Sequence, residues 1–169
     1  MNEHTPPNER STPNGVTLVT NQKSIAVFVL SAYIAFVFVQ SLFYKFSGSG
    51  ESIFIFSTLR EWSGIGLFEP FGRWAVGSAE LVASILLFVP RARIFGAGIA
   101  LGIISGAIFF HLFTPLGVEI MGDGGLLFAM ACGVWVASVL ILWLHRNEVT
   151  AVLAFARAKL VRDRRPMSM

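Results

Sequence analysis

The sequence predicts an all-α integral membrane protein: a four-helix bundle with both termini cytoplasmic and a short interfacial helix in the first external loop. Three observations carry this expectation. The chain of 169 residues is 54% hydrophobic and only 14% charged, with a mean hydropathy of +0.69, whereas a soluble domain carries about a quarter charged residues. Its apolar residues are gathered into four long, nearly uncharged runs. Its basic residues sit at the edges of those runs and fall unequally on the two sides.

Residues 1–23 place Pro6, Pro7 and Pro13 among Asn, Thr, Glu and Ser. They lack the apolar side chains that offset ordering entropy, and read as a disordered cytoplasmic tail. Residues 24–145 hold spans at about 24–44, 71–89, 94–113 and 125–144. The first contains the uncharged run Ile25–Phe43. It lies behind a polar tail with no small-residue cleavage site after it, as in an uncleaved signal anchor. The second, Trp74–Val89, has one charge, Glu80, and lies between Pro70 and Pro90. The third, Ile94–Phe110, continues through His111 to Phe113 and stops before Pro115; the fourth, Leu126–Leu144, is uncharged. About 20 helical residues cross roughly 30 Å of hydrocarbon, so each run suffices with its flanks. None shows the alternation of a barrel strand.

Two segments are neither tail nor span. Residues 46–72 include Ile53, Phe54, Ile55, Phe56, Leu59 and Trp62. This stretch is too apolar for a free loop and too interrupted to cross, so a short interfacial or re-entrant helix lying over the bundle is expected. Within 146–169, Val149, Val152, Leu153, Ala156 and Leu160 recur at helical spacing beside Arg157, Lys159 and Arg162. That pattern predicts a basic amphipathic helix on the cytoplasmic leaflet.

Orientation follows from Lys and Arg. Of the 13 such residues, Arg10, Lys23, Arg91, Arg93, Arg146, Arg157, Lys159, Arg162, Arg164 and Arg165 share one side; Lys45, Arg60 and Arg73 lie on the other. The basic-rich side is cytoplasmic, which predicts a multi-pass protein with both termini inside. The charge pattern offers no solvated basic face, so nucleic acid is not an expected partner. A lone Cys132 can form neither an intramolecular disulfide nor a CxxC pair.

Glu80 is the strongest local feature. It lies about 14 Å below the outer end of its helix, near the bilayer midplane. An ionised carboxylate facing lipid there costs at least ~2.5–3.5 kcal/mol, so Glu80 must face the interior and have a partner. Lys45 and His111 end outward-running helices, and their side chains lean back into the membrane; Glu80, on an inward-running helix, leans outward. The three can converge as a polar pocket in the outer half of the bilayer, one from each helix. Asp123, in Gly122-Asp123-Gly124-Gly125, either caps the fourth span or rims this pocket. Arg60, Glu61 and Arg73 read as ordinary interfacial charges. Gly98, Gly102 and Gly106 form GxxxGxxxG, a spacing that lets another helix approach closely. His145 and His111 lie at opposite ends of the membrane, which excludes a shared haem, and no transition-metal site is expected.

Gln40-Ser41-Leu42-Phe43-Tyr44-Lys45-Phe46-Ser47-Gly48, Gly77-Ser78-Ala79-Glu80-Leu81-Val82 leading to Leu86-Leu87-Phe88-Val89-Pro90-Arg91, Gly106–Leu112 and Asp123–Ala129 resemble the DoxX-like membrane protein family over about residues 25–145. The resemblance implies a compact four-helix bundle of the inner membrane. Some members are similar to subunits of quinone-linked oxidoreductases, and others are associated with oxidative-stress assemblies. The family brings no agreed catalytic residue. The leading expectation is an accessory subunit of a membrane redox complex, with a quinone as its ligand and partner subunits or further copies of itself around it. The alternatives are a non-catalytic scaffold for assembly and a small oligomeric carrier. Lys45, His111 and Glu80 could supply the hydrogen-bond donors and the proton relay that quinone binding needs.

Overall fold

The structure, a computed structural model, describes residues 13–163, with side-chain surroundings described for 22–160. These residues form six α-helices and no strand: α1 (Pro13–Ser47), α2 (Gly50–Ser63), α3 (Phe71–Phe88), α4 (Arg93–Phe113), α5 (Leu126–Leu144) and α6 (Arg146–Asp163), with a 3-10 turn at Gly66–Phe68. Four helical stretches are long and apolar enough to cross a membrane: Gln22–Ser47, Phe71–Phe88, Arg93–Phe113 and Leu126–Leu144. Their outward faces carry exposed large side chains such as Phe36, Phe43, Ile85 and Phe113. Apolar surface this continuous does not suit water.

α1 begins ahead of the apolar run, at Pro13. The tail residues 1–12 lie outside the described part, but 13–23 are helical, not disordered. Pro13 stands at the first helical position, where its missing N–H costs no bond, and no further proline interrupts the chain until Pro70. The helix therefore continues without a break into the apolar run.

Gly48, at φ 67°, ends α1, and Ser49 opens α2 by accepting a hydrogen bond from the Ser52 backbone N–H (3.3 Å). Gly64, also left-handed, closes α2 with its N–H on the Arg60 carbonyl (2.9 Å), the usual C-terminal use of glycine. α2 buries Ser52, Phe56 and Leu59. A helix thus occupies the segment where the sequence calls for one. At the other side of the fold, α6 exposes Val152, Leu153, Phe155 and Leu160. Phe155 lies about 160° around from Leu153 at 100° per residue, so the helix is less one-sided than the spacing suggests.

α1 packs against α3 and α5, and α4 against the same two helices. The dry centre is built from Ile34, Phe38, Ala83, Leu87, Ala97, Ala100, Val134 and Ile141. Small residues at the contacts let backbones approach closely. The glycine that does so on α4, however, is Gly96. A Cβ built there would stand 2.8 Å from the Leu87 nitrogen and 3.0 Å from the Ala83 oxygen, whereas at Gly98, Gly102 and Gly106 it would meet nothing within 4 Å. The GxxxGxxxG stripe is therefore not a helix–helix contact within the chain. Ala97, Ala100, Ile104 and His111 take the inward side of α4; Gly102 and Gly106 each lie about 160° around from Ile104 at 100° per residue.

Candidate functional site

The polar residues gather at the end of the helices covered by α2. Lys45 is in the last turn of α1 and Glu80 is midway along α3. The Lys45 ammonium donates to both carboxylate oxygens of Glu80, at 3.0 Å (Oε1) and 2.9 Å (Oε2). One turn before Lys45, the Ser41 hydroxyl donates to Glu80 Oε2 at 2.8 Å and lies within hydrogen-bond distance of Lys45 Nζ. The side chains are only 14% (Lys45) and 6% (Glu80) exposed. Two opposite charges withdrawn from solvent persist when their geometry is good and further donors satisfy them; the bidentate contact and Ser41 meet that requirement.

These groups face a cavity of about 540 Å³. Most of its wall is apolar, including Phe38, Ile103 and Met130 of the bundle and Ile55, Phe56 and Leu59 of α2. His111 and Asp123 also line it, so the cavity brings together all four residues singled out in the sequence, although only Lys45 and Glu80 touch. His111 is buried, with Nδ1 2.6 Å from the Gly117 carbonyl oxygen. A carbonyl can only accept, so Nδ1 carries the proton; in the neutral ring Nε2 is then left as an acceptor. Its ring lies edge-on to Phe128, with centroids 5.7 Å apart.

Asp123 caps the fourth apolar helix and lines the cavity. Its carboxylate accepts from the backbone N–H groups of Ile120 (2.8 Å), Gly125 (2.9 Å) and Leu127 (2.9 Å), which caps α5, and it also contributes to the cavity wall. The Leu127 N–H, followed by that of Ile120, holds its pKa below the ordinary 3.8; partial burial opposes this, and the Gly125 N–H and nearby His111 assist it. Asp123 is thus a fixed negative charge at the end of the cavity.

Arg73 is the main correction among the charges. It is buried rather than interfacial, unlike the exposed Arg60 and Glu61. Its guanidinium grips Glu69 through Nε (3.1 and 3.0 Å) and Nη2 (2.9 Å), while Nη1 donates to the Lys45 carbonyl. Arg73 therefore ties the last turn of α1 to the first turn of α3 and holds the backbone of Lys45. The i,i+4 spacings of Ser41 with Lys45 and Glu69 with Arg73 were the available signals for Ser41 and Arg73. His145 is far from this group, with Nδ1 on the Ile141 carbonyl (3.0 Å). Among the described residues, no three His, Cys, Asp or Glu side chains converge as a metal site.

Chemically, the cavity offers a donor-rich polar patch inside an apolar enclosure. Lys45 and Ser41 can donate to a carbonyl oxygen, Glu80 can exchange a proton with Lys45, and His111 has a ring nitrogen without an assigned bond. Comparison of the chain with protein-family models, with curated proteins and with solved structures found no match.

Proposed function

We propose that this chain is a DoxX-like four-helix bundle of the bacterial inner membrane, with cytoplasmic termini, and an accessory subunit of a membrane redox complex. In this reading the cavity receives a quinone headgroup. One observation carries the proposal: the Lys45–Ser41–Glu80 network forms part of the wall of a mostly apolar cavity of about 540 Å³. That volume falls within the usual range for a small-molecule site, roughly 300–1,000 Å³. A quinone suits it on chemical grounds. Its ring is flat and apolar, its carbonyl oxygens accept hydrogen bonds, and its reduction consumes protons. Lys45 and Ser41 supply donors, and Glu80 and His111 supply groups through which a proton can pass. The chain would hold and orient the headgroup, while electrons come from a partner subunit.

The test is purification of the full chain in mild detergent from quinone-replete membranes, followed by extraction and identification of bound quinone. The wild type is expected to retain quinone. Glu80→Gln keeps side-chain shape and a hydrogen-bond acceptor but removes proton exchange; it is expected to fold and bind, yet not to support oxidant resistance in a deletion strain. A wild-type protein that neither retains quinone nor binds it when added would defeat the reading.

A further inference from the structure

The cavity does not end at the inward face of α4. At 100° per residue, Ile103 and Phe110 lie about 20° and 40° around from Gly96, so the three mark the side of α4 that faces α3. On α3, Gly72 and Val76 share a face with Ala83 and Leu87 in the same way. The two stripes meet where Gly96 approaches Ala83 and Leu87. Toward α2, Gly72, Val76, Ile103 and Phe110 all line the cavity. Beyond that line, on the outward side of α4, Gly102 and Gly106 line it too, although they face away from the core. A Cβ at either position would meet nothing within 4 Å, and Gly102 is exposed. Phe68 and Phe110, with ring centroids 5.9 Å apart, both line the cavity.

We infer that α3 and α4 frame a lateral portal, with Gly102 and Gly106 as its sill, through which a lipid-dissolved amphiphile with an apolar tail reaches Lys45 and Glu80. The inference rests on the quinone reading above and deepens it. The ligand enters from the hydrocarbon, not from water, and its tail remains across the glycines while its head meets the polar patch. The missing side chains have a direct consequence: they leave a smooth, unobstructed apolar ledge where a flexible tail can lie.

The experiment uses the full chain in lipid nanodiscs and two probes, a benzoquinone with a long isoprenoid tail and the same benzoquinone without one. Binding is followed by quenching of tryptophan fluorescence after rapid mixing. In the wild type, association of the tailed quinone should rise with its mole fraction in the lipid, whatever the bulk aqueous volume. The Gly102→Phe/Gly106→Phe variant should slow that association at least about tenfold, with little effect on the tail-less probe. Gly98→Phe, on the same helix but outside the cavity lining, should match the wild type. Equal association of the tailed quinone in wild type and the double variant overturns the portal, as does a rate that follows aqueous concentration alone. Slowing of both probes alike overturns it by showing that the phenylalanines fill the binding pocket itself. Failure of the wild type to bind either probe is a separate result, which overturns the quinone reading and the portal together.

Discussion

Removing the carboxylate of Glu80 should be far more damaging than neutralising it. In Glu80→Leu the Lys45 ammonium and the Ser41 hydroxyl lose their shared acceptor at 2.8–3.0 Å. Removing one partner of a buried ion pair typically costs about 3–5 kcal/mol. Lys45 is in the last turn of α1 and 14% exposed, so its ammonium can swing partly toward solvent. The lower end, about 3 kcal/mol, is therefore expected. Glu80→Gln keeps an acceptor for Lys45 and loses mainly the charge-assisted part of the bonds, about 1–2 kcal/mol. The decisive variant is Lys45→Met/Glu80→Leu, which removes both charges and leaves none uncompensated. It should recover to within about 1 kcal/mol of the wild type. The assay is unfolding of purified protein in mixed micelles by titration with a denaturing detergent. If Glu80→Leu unfolds at the wild-type midpoint, or the double variant is worse than both single ones, the ion pair is not the buried contact described here.

The glycines of α4 make a second prediction: Gly96→Ala should destabilise by about 1–3 kcal/mol through overpacking, whereas Gly98→Ala, which meets nothing, should stabilise by about 0.5–1 kcal/mol in the same unfolding assay. Asp123 has a folded pKa below 3.8, so its capping contribution is complete above the unfolded value and is lost as pH falls through the folded one. The stability gap between wild type and Asp123→Asn should accordingly be constant near neutrality and shrink below pH 3.8, as read from melting in detergent across pH. The proposed orientation predicts that a cysteine at Ser49 reacts with an impermeant thiol reagent in intact cells while one at Ala92 does not; labelling of Ala92 from outside would reverse it.

The four apolar helices were legible because their signal is long and additive. Tens of uncharged residues bounded by Pro70, Pro90 and Pro115 leave little alternative. The start of α1 was not legible, because Asn, Thr and Pro13 suit either a solvated tail or the first turns of a helix that a following apolar run then propagates. Burial of Glu80 and its partner could be read for an energetic reason. A charge placed by composition in the middle of a span has few tolerable environments, and Lys45 is the nearest cation that leans toward it.

Arg73 and the glycine stripe were misread for a common reason: each was judged by its own helix alone. Arg73 lies near a helix end, where cations usually reach water, and only the chain turn at Glu69 and the end of α1 enclose it. GxxxGxxxG states that one face of α4 has no side chains, and says nothing of what lies opposite. Two outcomes share that pattern, a backbone in close contact or an open space, and the spacing alone does not choose between them. Gly96 shows the first outcome and Gly102 the second, six residues further along the same helix. The two are complementary, because close contact at Gly96 fixes one end of the α3–α4 pair and so sets where the opening lies. Substitutions at Gly96 should therefore act through packing and stability, whereas bulky substitutions at Gly102 should act on entry to the cavity.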